Sequence, residues 1–254
     1  MLSTVDRKLV LAAFDTQLRE RTDERTVRAG AVIRRDDERG WTGVLWSDVD
    51  ETTADAVIAE QIGYFTERGT PFEWKYYAHD RPTNLPDRLL AAGLTAEEEE
   101  TVLVTEAAAV PPAELAEDIR LVPVTDAEGA RQVVEVHAAA FGGDFRQLGD
   151  VVLAGLADDT VAAVLVMAGD RAVSAARVDF RPGIEFAGLF GGGTLPEWRG
   201  RGLYRATVAY RARLAAERGY RYLYTDALPT SRPILERLGF QRLTSTVPYV
   251  LSRD

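Results

Sequence analysis

The residues best suited to chemistry lie between Leu189 and Ala206, in the run LFGGGTLPEWRGRGLYRA. A strand pattern ends at Gly191-Gly192-Gly193-Thr194. A loop with Pro196 and Gly200 follows from Leu195 to Arg201, and a helix pattern begins at Gly202-Leu203. Glycine at a strand-to-helix turn lets the backbone approach a ligand closely. The first-turn N–H groups of the helix have no intrahelical acceptor and form an anion site. Arg199, Arg201 and Arg205 add positive charge, and a pyrophosphate matches this donor set. The glycine run also offers backbone groups unscreened by side chains, which suits an extended, amide-bearing ligand along the strand edge. A bare Gly-x-Gly would read as a solvated turn. Here the strand, the loop length, three arginines and an amphipathic helix agree.

Other reactive residue types are few. The chain has no cysteine, which excludes disulfides, thiolate zinc sites and an acyl-cysteine intermediate. Its two histidines, His79 and His137, are far apart in sequence, so no histidine-based metal site is expected. His137 falls on the inward side of a helix pattern and reads as a satisfied packing residue. His79, before Asp80-Arg81-Pro82, reads as a turn residue. Asp226, at the end of a strand pattern, is the candidate general base. Its competing reading is a cap for the loop before Ser231. Ser231 and Tyr249 are weaker candidates.

The elements that position these residues follow from periodicity. Val10, Phe14 and Leu18 mark one face of an opening helix. Residues 27–35 and 41–46 read as a hairpin around 36–40. A helix over 51–68 ends at Gly69, a strand covers 72–78, a short helix 84–92 ends at Gly93, and a strand covers 100–105. Phe72, Trp74, Tyr76 and Tyr77 are expected to pack in a core. Residues 107–116, with two prolines among small residues, read as a linker, which sets domains at 1–106 and 118–254 with 107–117 between them. The second domain opens with a strand at 119–124. Asp126 caps a helix over 127–141, and a second helix covers 145–156. Strands at 160–168, 171–180 and 184–194 form an antiparallel meander through tight turns. A helix (202–218), a strand (221–227), a short helix (231–238) and a strand (241–251) close the chain. The helix–Gly–strand–helix–Gly–strand ending of this half echoes the ending of the first.

Arg199-Gly200-Arg201-Gly202-Leu203-Tyr204 resembles the Gln/Arg-x-x-Gly-x-Gly/Ala signature of the GNAT (GCN5-related) N-acetyltransferases. Thr194-Leu195-Pro196-Glu197 resembles that family's lead-in, and Pro233 to Phe240 resembles its second motif. The element order over 118–254 matches as well. The resemblance implies an α/β (α+β) acyl-CoA N-acyltransferase fold, a mixed and mostly antiparallel sheet splayed after its fourth strand and flanked by helices. It places acetyl-CoA in the splay. The backbone of Gly192, Gly193 and Thr194 would hold pantetheine, and the N–H groups of Gly200, Arg201, Gly202, Leu203, Tyr204 and Arg205 would hold pyrophosphate. The implied activity is transfer of an acetyl group to a primary amine of a small molecule or peptide, with no metal. A homodimer is implied as well.

Three positions depart from the family pattern. Tyr204 stands where Gly or Ala is usual, which leaves backbone donation intact. Leu235 stands where many members carry a tyrosine that protonates the leaving thiolate. Gly188 stands where some carry a glutamate base, and Glu185 points to the other face. The alternative is therefore a non-catalytic pseudo-acetyltransferase that senses acyl-CoA. Residues 1–106 resemble a degenerate copy of the fold. The segment 47–53, SDVDETT, has no glycine and three acids that would repel a pyrophosphate and suit helix capping instead.

The net charge of −10 makes nucleic acid a poor partner. The N-terminus lacks a secretory cleavage pattern and the longest later apolar run, Val161 to Ala168, is too short to span a bilayer. A cytoplasmic protein with no membrane partner is expected.

Overall fold

The computed structural model describes residues 4–36 and 41–251. The chain forms two compact units. The first runs to Leu103 and takes in Asp226–Arg232 and the chain from Arg242 on. The second comprises Val104–Thr225 and Pro233–Gln241.

In the first unit, α1 (Thr4–Phe14) passes into a π-helical turn at Asp15–Arg19. The expected strand 27–35 is two strands, β1 (Thr26–Ala29) and β2 (Val32–Asp36), because Gly30 takes φ +57° and folds the segment back on itself. β2 pairs antiparallel with β3 (Thr42–Ser47). Of the expected turn 36–40, residues 37–40 lie outside the described residues. α2 (Ala54–Arg68) ends at Gly69, whose left-handed φ of +62° lets its N–H reach Phe65 and Thr66 carbonyls. β4 (Glu73–Tyr77) pairs parallel with β3, α3 (Leu85–Ala91) follows, and β5 (Thr95–Ala96) precedes β6 (Glu100–Glu106). The last strand of the chain, β12 (Gln241–Val250), pairs antiparallel with β4 and β5. The core packs α2 and α3 onto this sheet through Ile58, Phe65, Trp74, Leu85 and Leu89; Phe72, Trp74 and Tyr77 are buried as expected, and Tyr76 is only half-buried against that core.

The second unit begins within β6, and a 3-10 turn follows at Ala107–Ala109, where the linker is expected; the Ala107 N–H is bound to Arg221 O. β7 (Ile119–Pro123), β8 (Val161–Ala168), β9 (Arg171–Phe180) and β10 (Phe186–Thr194) pair antiparallel in sequence order, and β11 (Tyr222–Ala227) pairs parallel with β10. α4 (Ala127–Phe141) is capped by Asp126, which accepts from Gly129 N–H at 2.8 Å as its sequence position predicts. α4 and α5 (Arg146–Ala157) pack on one face through Val133, Val136, Val152 and Leu165. α6 (Leu203–Glu217) packs through Leu203 on a cluster with Val166 and Val173. Leu165 and Val166 are strand neighbours and point to opposite faces, so α4 and α6 cover opposite sides. α7 (Arg232–Arg237) precedes the last strand. No helix among the described residues is long and apolar enough to cross a membrane.

Candidate functional site

The parallel pairing of β10 with β11 joins Phe186, Ala187 and Gly188 to Tyr222, Leu223 and Tyr224 and then stops, whereas β10 continues to Thr194. Beyond Gly188 the strands diverge, linked by a hydrogen bond from Thr225 Oγ1 to Leu189 O at 2.8 Å. This is the splay that the resemblance implies. Leu195 N–H points across to Val173 O on the β9 side. Strand alternation therefore turns the Thr194 N–H to the splay edge, and the Gly192 N–H with it.

The splay leads to the start of α6. A 3-10 turn at Pro196–Trp198 is followed by Gly200 at φ +77° and Gly202 at φ +80°, the N-cap of α6. The glycines are needed here, since a side chain strains this left-handed conformation. Gly202 carries no side-chain cap, and the first intrahelical bond is made by Ala206 N–H to Gly202 O. The N–H groups of Leu203, Tyr204 and Arg205 are therefore left for an external acceptor. The three arginines behave differently. Arg199 donates to Thr194 O and Ala140 O, tying the strand end to α4. Arg201 lies over the Trp198 ring at 4.5 Å, and the Arg205 guanidinium folds toward Gly202. Among the described residues neither Arg201 nor Arg205 has a carboxylate partner.

The glycine run has a second reason that its sequence does not show. A Cβ at Gly191 would stand 3.1 Å from His137 Nε2, one at Gly192 2.7 Å from Tyr204 Cε2, and one at Gly193 2.9 Å from Phe141 Cε2. Three rings of the same chain cover three consecutive glycines. The faces of the strand are filled from within, and what remains for an extended ligand is its backbone edge. Tyr204 thus fills space above Gly192 that a Gly or Ala at position 204 would leave open. Phe141, 58% exposed, forms a tilted cluster with His137 and Phe145. Ser174 Oγ binds Gly193 O at 2.6 Å and Thr194 Oγ1 at 2.8 Å, a strand-end contact for which the sequence carries no signal.

The departures keep their meaning. Leu235 is fully buried and brings no proton donor. A side chain at Gly188 would meet the Phe190 ring at 2.4 Å, so no glutamate fits there without displacing it. Glu185 has its carbonyl on the Arg221 and Tyr222 N–H groups and its carboxylate 3.7 Å from Arg221. His137 is buried and hydrogen-bonded, as its helix position predicts.

Asp226 lies in the first unit. Its Oδ2 accepts a hydrogen bond from Lys75 Nζ at 2.6 Å, and its buried Oδ1 has no partner among the described residues. Glu100 stands 3.9 Å from Lys75. Burial holds the carboxyls of Glu73 and Glu100 above their ordinary range against the pull of Lys75. Burial disfavours the Lys75 ammonium too, but Asp226 overrides it and holds Lys75 well above the ordinary lysine value. Ser231 N–H bonds to Leu228 O, and Tyr249 packs edge-on against Tyr76.

The first unit repeats the topology without the site. β3–α2–β4 is a parallel pair bridged by a 15-residue helix, as β10–α6–β11 is. Before α2, however, the Asp50 carboxylate accepts from the N–H groups of Thr52 and Thr53, and these bonds with the two hydroxyls lower its pKa to about 2. An anion is already built into the position that Gly202 leaves bare in the second unit. Among the described residues no group of three or more metal-ligating side chains could hold a metal ion.

No family model matches the sequence, and no curated protein matches it. Solved structures do. A GCN5-related N-acetyltransferase from Kribbella flavida superposes with a TM-score of 0.72 at 19% identity, over 95% of this chain and 94% of that one. A tandem GNAT protein from the clavulanic acid biosynthesis pathway superposes with a TM-score of 0.63 at 13% identity, over 99% and 96%. A GCN5-related N-acetyltransferase from Sphaerobacter thermophilus gives 0.61 at 14%, over 87% and 76%. At these identities the likeness is one of fold: the chain has the mixed, helix-flanked sheet of the GNAT acetyltransferases.

Proposed function

We propose that the protein is an N-acyltransferase that binds acetyl-CoA in its second unit and transfers the acetyl group to a primary amine of a small molecule or peptide. The observation that carries this reading is the splay of β10 from β11 after Gly188, running into a glycine-capped helix whose first-turn N–H groups are bare. Backbone N–H groups of Gly192 to Thr194 would hold pantetheine, and those of Gly200 to Arg205 the pyrophosphate, with Arg201 and Arg205 adding charge. The ring-covered glycines are compatible with this, since pantetheine needs the strand edge and not its faces.

In the proposed chemistry an unprotonated amine attacks the thioester carbonyl, whose oxygen is polarised by backbone donors, and CoA departs as thiolate. Leu235 supplies no proton to that thiolate, and a thiolate leaves without one. Asp226 is the proposed acceptor of the amine's proton, and its Oδ2 is hydrogen-bonded to Lys75. Along the chain, residues 118–254 are proposed as the acetyltransferase half, 107–117 as the join, and 1–106 as a degenerate GNAT-like copy whose anion position is closed by Asp50. A cytoplasmic homodimer that binds neither nucleic acid nor membrane completes the reading.

A second reading is favoured by the buried Leu235 and the side-chain-free Gly188: an acyl-CoA sensor that performs no transfer. Isothermal titration with acetyl-CoA and with CoA tests the site. Micromolar binding, lost in Gly202→Asp, supports it; no binding of either sinks it. Thioester cleavage in an amine screen then separates the enzyme from the sensor.

A further inference from the structure

β10 carries a bulge. Phe190 faces Arg177 and Gly193 faces Ala175, so one extra residue sits on β10, and Gly191 takes φ +57° there. The two carbonyls at the bulge are held from opposite faces of the sheet. His137 Nε2 of α4 donates to Gly191 O at 2.7 Å. Arg211 Nη1 of α6 donates to Phe190 O at 3.3 Å and to Arg177 O at 2.9 Å, while its Nε donates to Thr207 O.

Both residues are almost fully buried, at 3% and 2% exposure. The hydrogen bonds of Arg211 all go to backbone carbonyls, and among the described residues it has no ion-pair partner. Burial lowers its pKa to about 10, so it is charged at neutral pH. A buried charge with only the field of Asp179 and no ion-paired carboxylate destabilises a core that an apolar residue would fill with less penalty. Its position therefore calls for a local reason, and the bulge carbonyls provide one.

His137 has a carbonyl at each ring nitrogen, the second being Val133 O at 2.8 Å from Nδ1. Burial, with the Arg177 guanidinium nearby, holds its pKa below the ordinary value. A neutral imidazole donates from one nitrogen only. Val133 O already has the helix ladder, so the proton belongs on Nε2, facing the bulge.

We propose that His137 and Arg211 are positioning residues that clamp the Gly191 and Phe190 carbonyls and thereby aim the backbone of Gly192 to Thr194 at the thioester arm of an acyl-CoA. This rests on the acyl-CoA reading above. Removing Arg211 risks unfolding, so His137 carries the test, through His137→Leu, which keeps bulk without a donor, and His137→Gln, whose amide can still donate. Amide exchange at 192–194 is measured on the free protein, and affinities for acetyl-CoA and CoA by titration. In His137→Leu exchange at 192–194 rises about tenfold and acetyl-CoA affinity falls about tenfold while CoA affinity falls less; His137→Gln restores both. A packing role alone would move both ligands and both variants alike, and that result, or unchanged exchange in His137→Leu, overturns the clamp. Should the wild type bind neither ligand, the acyl-CoA reading fails and the aiming role with it. The exchange data then still show whether His137 holds the bulge.

Discussion

Lys75 Nζ and Asp226 Oδ2 lie 2.6 Å apart although 151 residues separate them in the chain. Both side chains are mostly buried, at 17% and 10% exposure. Breaking such a pair from one side strands the other charge, so Lys75→Met should destabilise the protein by about 3–5 kcal/mol. The double variant Lys75→Met/Asp226→Leu should cost less than Lys75→Met alone. Urea unfolding of Lys75→Met, Asp226→Leu and the double variant checks this, and a double variant as unstable as the sum of its singles would show that the two groups are not coupled. The Lys75 pKa is raised in the folded state, so its contribution is full below the unfolded lysine value of about 10.4 and is lost as pH rises through the higher folded value.

Asp226→Asn removes the carboxylate but leaves an amide oxygen that can accept from Lys75, so turnover is compared per folded molecule. If Asp226 takes the amine's proton, turnover falls by about 10²–10⁴-fold with acetyl-CoA affinity unchanged. Wild-type turnover in this variant removes it from the mechanism.

Gly202→Asp places a carboxylate against the bare N–H groups of Leu203 to Arg205. Asp tolerates left-handed φ better than most residues, so the fold should survive, with a modest fall in melting temperature. CoA binding should be lost. Retained affinity in a folded variant would move the pyrophosphate elsewhere.

Tyr204→Ala restores the residue type the GNAT signature carries and uncovers Gly192. The half-buried ring contributes packing, so stability should fall by about 2–4 kcal/mol. Acetyl-CoA affinity should hold or rise, because the backbone N–H remains. A loss of affinity larger than the loss of stability would mean that the phenol itself contacts the ligand.

Arg19 anchors the first unit. It is 2% exposed, forks onto Asp80 at 2.7 and 2.9 Å, binds Asp15 and Leu45 O, and lies over the Tyr77 ring at 3.9 Å. His79, a turn residue as its sequence predicts, completes the group by bridging Asp15 and Thr244. Arg19→Met should cost about 3–5 kcal/mol, read by urea unfolding, since it leaves two carboxylates without their cation. Burial works against the Asp15 carboxylate, yet the hydrogen bonds from His79 and Arg19 hold its pKa below the ordinary value. The stability it contributes is therefore present above the unfolded value of about 3.9 and is lost as pH falls through the lower folded one.

What the sequence determined is local. The Asp126 cap, the Gly69 stop, the strand-to-helix turn at Gly200 and Gly202 and the meander joined by Gly169-Asp170 and Arg181-Pro182-Gly183 each follow from which φ values and hydrogen bonds a few neighbouring residues allow. The acids of 47–53 announced a filled cap for the same reason. The turn at Gly30 was missed, because periodicity reads 27–35 as one strand and a lone glycine inside it does not reveal its φ. Only the tertiary structure decided what meets across the chain: Lys75 on Asp226, Arg19 on Asp80, β12 on β4, and His137, Tyr204 and Phe141 on three successive glycines. A glycine's sequence shows that a side chain is missing, and only packing shows what fills the space. A buried carboxylate or imidazole likewise takes its partner and its pKa from groups that topology, not spacing, brings within hydrogen-bond reach.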